Sequence, residues 1–223
     1  MTTNFLADAG VVLAGGGGKR LGGIDKGEIL LSGERLGERA ASRLISQADR
    51  LIYVGADTAP DWIEDKSDQI TFVSDARTPE GAQVGPLGGV IAALEWLRGR
   101  LGKNSVLLTA PVDAPFFPTD IGRQMVSHLA GCDVVLARNK GKLEPAFGLW
   151  RSSVLPQLKE AVFDEGMRAL RDAPTKLNGR IADVRSLRNA FLNINQVEDL
   201  KLARELTGDT SNQEQLDSLK KTG

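Results

Sequence analysis

What this chain lacks narrows its chemistry first. Cys132 is its only cysteine, so no disulfide can form within it, and a cytoplasmic location is expected. His128 is its only histidine. It falls at the end of an expected helix, where a surface or capping role fits better than catalysis. With one of each, zinc sites and Cys–His or Ser–His machinery have little to draw on. No apolar run approaches the roughly 20 residues that a membrane helix needs. Residues Met1 to Asp8 carry no basic stretch followed by an apolar core, so no secretory signal is expected. Charge of one sign is also missing: 28 Lys and Arg stand against 29 Asp and Glu, a formal net charge of −1. No global field draws in nucleic acid or an anionic membrane, and neither is expected as a partner. Any selectivity for anions must be local.

In bulk the chain is ordinary: 223 residues, 41% hydrophobic and 26% charged, as in soluble globular proteins. Neither a repeat nor a convincing linker divides it. One domain is expected over residues 1–206, followed by a polar tail over 207–223. Trp62, Trp96 and Trp150 read as packing residues rather than a stacking platform.

Glycine is concentrated where it matters. Val11-Val12-Leu13-Ala14 is a short apolar run that predicts a buried strand. The next twelve residues, Gly15 to Lys26, hold six glycines and three basic residues, Lys19, Arg20 and Lys26. Glycines let a backbone approach a ligand closely, because no Cβ intervenes. Exposed N–H groups in such a loop form a concave anion site, so the stretch suits a polyphosphate. It is not a P-loop: Leu13 stands where the first glycine belongs and Arg20 where the Ser or Thr belongs. Nor is it a dinucleotide fingerprint, since neither Gly15 nor Gly16 starts a G-x-G-x-x-G run.

Beyond the loop, apolar runs and helical spacing alternate. Strands are expected at Glu28–Leu31, Asp49–Val54, Ile70–Val73, Val106–Val112, Asp133–Ala137, Pro145–Trp150 and Ala190–Ile194. Helices are expected at Glu34–Gln47, Pro60–Lys66, Val90–Leu97, from Thr119 or Asp120 to Leu129, and at Ser152–Phe163. A last helix should start at Asn195, with Glu198 as the third residue of its first turn, and run to Leu206. This alternation predicts an α/β fold, a mostly parallel Rossmann-like sheet with helices on both faces. Ligands bind such sheets beyond the carboxyl ends of the strands. The loop after Ala14, Asp75 and Asp113 all fall at such ends, so one pocket can gather them.

Leu13-Ala14-Gly15-Gly16, Arg20, Gly22 and Lys26 spell L-A-G-G-x-x-x-R-x-G-x-x-x-K. This resembles the signature of nucleotidyltransferases with a MobA-like fold. Asp113-Ala114-Pro115-Phe116 resembles the D-x-P-[FY] motif that supplies their metal ligand. A carboxylate there suits Mg²⁺, which takes one or two protein carboxylates together with phosphate oxygens and water. Arg20 and Lys26 are candidates to stabilise charge on the α-phosphate and the departing pyrophosphate. The resemblance implies nucleotide contacts at Leu13, Ala14, Gly15, Gly16, Lys26, Gly55, Asp75 and Asp113. Gly55 stands where the family often has a polar residue such as Asn, and offers only its backbone; Asp57 is a substitute. Gly85-Pro86-Leu87-Gly88-Gly89 resembles the family's G-P-L-x-G turn at a helix start.

The segment Ala190 to Leu200 is similar to the F-x-N-[IV]-N-T-P-E-[DE]-L ending of molybdenum cofactor guanylyltransferases. By that resemblance Asn193 and Asn195 border the acceptor site. Gln196 and Val197 replace Thr-Pro, and Glu144-Pro145 stands where some members carry His-Pro. The implied reaction moves GMP from GTP to molybdenum–molybdopterin with Mg²⁺, releasing pyrophosphate. Transient contact with other cofactor-biosynthesis proteins or apo-molybdoenzymes is a further expectation. CMP transfer to the same cofactor, nucleotidyl transfer to a sugar phosphate or other small phosphate, and non-catalytic nucleotide binding are the alternatives. Arg20, Lys26 and Asp113 together argue against the last, since binding alone needs no metal carboxylate.

Overall fold

The structure is a computed structural model that describes residues 6–15, 25–55, 58–64 and 68–209. Strand β1, Ala9–Leu13, is buried along its whole length. A single 3-10 turn at Lys26–Glu28 leads into a small hairpin of β2, Leu30–Leu31, and β3, Glu34–Arg35. Helix α1, Leu36–Leu44, therefore starts two residues later than helical spacing implied, because Glu34 and Arg35 pair with β2. Next come β4, Leu51–Gly55, the short α2, Asp61–Glu64, and β5, Ile70–Ser74. Helix α3 spans Pro86–Leu101, four residues earlier than expected at its start. Pro86 takes a first-turn position, where its missing N–H costs nothing.

Strand β6, Val106–Pro111, precedes α4, Ile121–Met125, whose last turn tightens into 3-10 geometry over Val126–Leu129. Strands β7, Val134–Asn139, and β8, Lys142–Arg151, pair antiparallel as a hairpin. The expected helix at 152–163 is a composite of a 3-10 turn, α5 at Leu155–Lys159 and a π-type turn at Glu160–Asp164. Then follow α6, Ala173–Lys176, β9, Gly179–Val184, and α7, Val197–Thr207.

The seven-stranded sheet runs β5-β4-β1-β6-β8-β7-β9. All its neighbours are parallel except those of β8, which runs against both β6 and β7. The order reverses between β1 and β6, and at such a switch point the two flanking loops splay apart to leave a crevice. Alternation along the strands builds two cores. Val12, Tyr53 and Leu108 face α1 and α4 on one side. Val11, Leu13, Ile52 and Leu107 face α3 and α5 on the other. A third, smaller core joins Ile29, Leu31 and Leu36 to Ile194, Leu200 and Ala203, tying the hairpin to α7.

Two expectations are corrected here. Residues 190–194 are not a strand but a turn and extended loop. Phe191 and Ile194 are buried like strand residues, yet the Ile194 N–H donates to the Asp113 carbonyl at 2.7 Å, a single tether rather than a ladder. The start of α7 shifts by one residue. Gln196 caps it and Asp199 is the third residue of the turn; Asp199 Oδ2 accepts from both the Asn195 and Gln196 N–H groups at 2.9 Å. Strand β9, absent from the sequence reading, is an edge strand with only Ala182 and Val184 buried. Among the described residues, no helix is long and apolar enough to cross a membrane.

Candidate nucleotide and acceptor site

A cavity of about 420 Å³ lies over the switch point, within the usual range for small-molecule sites. Its floor is the end of β1, Leu13 with Ala14 and Gly15, beside the end of β6, Pro111 to Asp113. Chain continuity between the two is tight: the Ala14 N–H donates to the Val54 carbonyl at 2.9 Å and the Val112 N–H to the Leu13 carbonyl at 3.1 Å. Asp113 is thus carried on backbone fixed from three directions, by β1, by β6 and by Ile194. The loop that follows is held from behind. Arg43 on α1 donates through Nε to the Phe117 carbonyl at 2.7 Å and through Nη2 to the Phe116 carbonyl at 3.1 Å.

Lys26 enters from the 3-10 turn, whose start is capped by Asp25: Oδ1 accepts from the Gly27 N–H at 2.8 Å. Its ammonium donates to Asp113 Oδ2 and to Asn195 Oδ1, both at 2.7 Å. The ion pair is shielded, with side-chain exposures of 16% for Lys26 and 20% for Asp113. A charge pair this sheltered is screened far less than a surface pair. Asn193 and Asn195 both line the cavity because Ile194 between them plugs into the small core.

Leu13, Ala14, Gly15, Lys26, Asp113, Asn193 and Asn195 therefore meet around one space. Gly55 and Asp75 do not line it. Asp75 stands directly behind Gly15: a Cβ on Gly15 would lie 1.9 Å from Asp75 Oδ2. The Asp75 N–H donates to the Gly55 carbonyl at 2.9 Å, which binds those two together at the ends of β4 and β5. Burial pushes the Asp75 carboxyl up to about 6, opposed by the nearby Arg77 charge. Gly16 and Arg20, along with Asp57, lie outside the described residues.

Sequence reasoning assigned no role to the far wall. Glu144 to Phe147 on β8 form one part of it and Ala169 to Arg171 another. The departure Glu144-Pro145 from His-Pro was the available signal for the first; Ala169 to Arg171 follow no motif. Among the described residues, no group of three or more His, Cys, Asp or Glu is placed to hold a metal. The Asp113 carboxylate at the cavity floor still fits Mg²⁺ that takes its remaining ligands from phosphates and water.

An α/β sheet with an ammonium and a carboxylate at its switch point belongs to the class of open α/β proteins that bind ligands in the crevice beyond the strand ends. The domain model described as MobA-like NTP transferase matches residues 10–178, and the chain belongs to that family. It is 32% identical over 207 residues to the molybdenum cofactor guanylyltransferase of Rhizobium rhizogenes, covering 88% of this chain and 92% of that one. It is 34% identical over 201 residues to the protein of the same name from Cereibacter sphaeroides, covering 88% and 95%. Among solved structures, molybdopterin-guanine dinucleotide biosynthesis protein A from Archaeoglobus fulgidus superimposes with a TM-score of 0.67 at 24% identity, covering 91% of this chain and 99% of that one.

Proposed function

We propose that this protein transfers GMP from GTP to the terminal phosphate of molybdenum–molybdopterin, releasing pyrophosphate and leaving a guanine dinucleotide. The observation that carries this reading is the Lys26 ammonium shared between Asp113 and Asn195, on a chain about a third identical over most of its length to molybdenum cofactor guanylyltransferases. One side chain thereby touches both the proposed nucleotide half and the proposed acceptor half.

The acceptor arrives as an anionic phosphate, so its oxygen needs no strong general base. That oxygen bonds to the α-phosphorus, and the bond from the α-phosphorus to the bridging oxygen breaks. Charge grows on the α-phosphate oxygens and on the leaving pyrophosphate. Positioned cations lower that barrier electrostatically. Lys26 supplies a point charge at the junction, and Arg20, whose guanidinium suits two phosphate oxygens at once, supplies the second. Leu13, Ala14, Gly15 and Gly16 bring backbone to the nucleotide. Gly55 and Asp75 contribute from the ends of β4 and β5, Asp75 as an acceptor toward base or ribose. Asp113 would hold Mg²⁺, which when bound neutralises phosphate charge. Asn193 and Asn195 hold the acceptor.

The test is turnover with GTP, CTP, ATP and UTP in the presence of Mg²⁺ and molybdenum–molybdopterin, read as pyrophosphate release and as the dinucleotide formed. GTP is expected to be preferred. A preference for CTP would replace the base assignment, and no turnover with any of the four would remove the transferase reading.

A further inference from the structure

Glu144 is a carboxylate in an unusual place. It is 6% exposed, lines the same cavity as Asn193, and takes no part in the transfer chemistry above. Its described charge partner is Lys142, whose Nζ lies 3.0 Å from Oε1 and whose own side chain is 71% exposed. An ionised carboxylate offers about four acceptor directions, so one ion pair through Oε1 leaves acceptor capacity on a side chain that lines the cavity. Burying such a group is unfavourable unless donors meet it.

The backbone is shaped to put it there. Pairing between β7 and β8 jumps from Leu136 opposite Gly148 to Ala137 opposite Glu144, leaving Pro145, Ala146 and Phe147 without partner residues on β7. Pro145 has no N–H to lose from a ladder, and the Ala146 carbonyl accepts instead from Thr109 Oγ1 at 2.9 Å. All three bulged residues line the cavity. A bulge bends a strand and re-aims the side chains beside it. Phe147 also stacks edge-on against Phe191, 5.0 Å between ring centres, which joins this wall to the segment carrying Asn193 and Asn195.

We propose that Glu144 reads the acceptor's ring, accepting hydrogen bonds from the adjacent ring N–H and amino group of a 2-amino-4-oxopyrimidine edge. This rests on the transferase reading. Guanine and a pterin share that edge. The strand order separates them: β8 flanks β6 on one side, while β1, β4 and β5, with Gly15, Gly55 and Asp75, lie on the other. Glu144 is therefore assigned to the pterin.

The test titrates the full chain with three probes: pterin-6-ylmethyl phosphate, its lumazine counterpart in which a carbonyl replaces the 2-amino group, and GTP with Mg²⁺. The wild-type protein is expected to prefer the pterin by about 10- to 100-fold, the usual scale of a hydrogen bond to a charged group. Glu144→Gln should bring the two ring compounds within about twofold of each other and leave GTP affinity unchanged. Lys142→Met, which removes only the exposed partner, should keep the preference. A pterin preference that survives Glu144→Gln, or no preference in a wild-type protein that binds GTP, overturns the proposal. So does a GTP affinity that falls in parallel with the pterin, which would assign Glu144 to guanine. Loss of the preference in Lys142→Met to the same degree would reduce the pair to a structural one and overturn it as well. A wild-type protein that binds no GTP would instead overturn the transferase reading beneath it.

Discussion

Two residues define how closely the loop after β1 can approach its neighbours. With Asp75 Oδ2 1.9 Å from where a Gly15 Cβ would stand, Gly15→Ala forces a backbone or carboxylate shift. The expected loss is about 1–3 kcal/mol, typical of overpacking, read as a lowered Tm. Adding Asp75→Ala should recover part of it. Asp75 itself carries a pH signature. Its carboxyl sits near 6 in the fold against 3.8 as a free group, so the folded state holds the proton more tightly than the unfolded chain. Its stabilising contribution is complete below about pH 4 and is lost as pH rises through 6. Asp75→Asn should therefore melt higher than wild type at pH 7.5, with the gap closing as pH falls toward 4. At Lys26, replacement by Met takes away the ammonium held by both Asp113 and Asn195. GTP affinity is expected to fall about tenfold by calorimetry, the scale of one charge-assisted contact. Asp113→Asn should abolish Mg²⁺-dependent pyrophosphate release; turnover at the wild-type rate would remove it from the metal role.

At the scale of elements, the start of α7 has consequences beyond its own helix. Asp199 takes two N–H groups, from Asn195 and Gln196. Asp199→Ala is expected to lower stability by about 1 kcal/mol, as for other lost caps. Because Asn195 is one of the groups released, KM for the acceptor should rise more than KM for GTP. This register was half legible in the sequence. The residue types pointed to Asn195 with Glu198, whereas the helix uses Gln196 with Asp199, neither of them the usual type for its position. Apolar runs announced β1, β4 and β6 because both of their faces are covered, and β5 at the edge was announced by its run although only Ile70 of it is buried. Strand β9 was invisible because, at the edge, it needs only Ala182 and Val184 buried. The segment at 190–194 misled in the opposite sense: burial of Phe191 and Ile194 imitates a strand where there is none. The cavity's near wall followed from recognisable motifs, whereas the far wall offered only the Glu144-Pro145 departure, at a bulge in β8, and no motif at Ala169 to Arg171.

The whole molecule is closed by contacts between its early hairpin and its late helix. Ser32 donates from its backbone N–H to Asp209 Oδ2 at 2.6 Å and from its hydroxyl to Thr207 Oγ1 at 3.0 Å. Arg204, buried in α7, lies 4.0 Å from the same Asp209. A chain ending at Leu206 is expected to be less stable than one ending at Asp209 by roughly 1–3 kcal/mol, from the lost hydrogen bonds that tie Ser32 to Thr207 and Asp209. Comparing urea midpoints of the two checks it. The reversed strand has another global effect. Since β8 runs against its neighbours, its first residues rather than its last arrive at the ligand edge, joined to β7 by a two-residue turn at Lys140 and Gly141 with φ of 49° and 81°. The rim of the acceptor wall is consequently the tip of a hairpin, a place where loop length and composition can vary between descendants of one ancestral chain while both cores stay untouched.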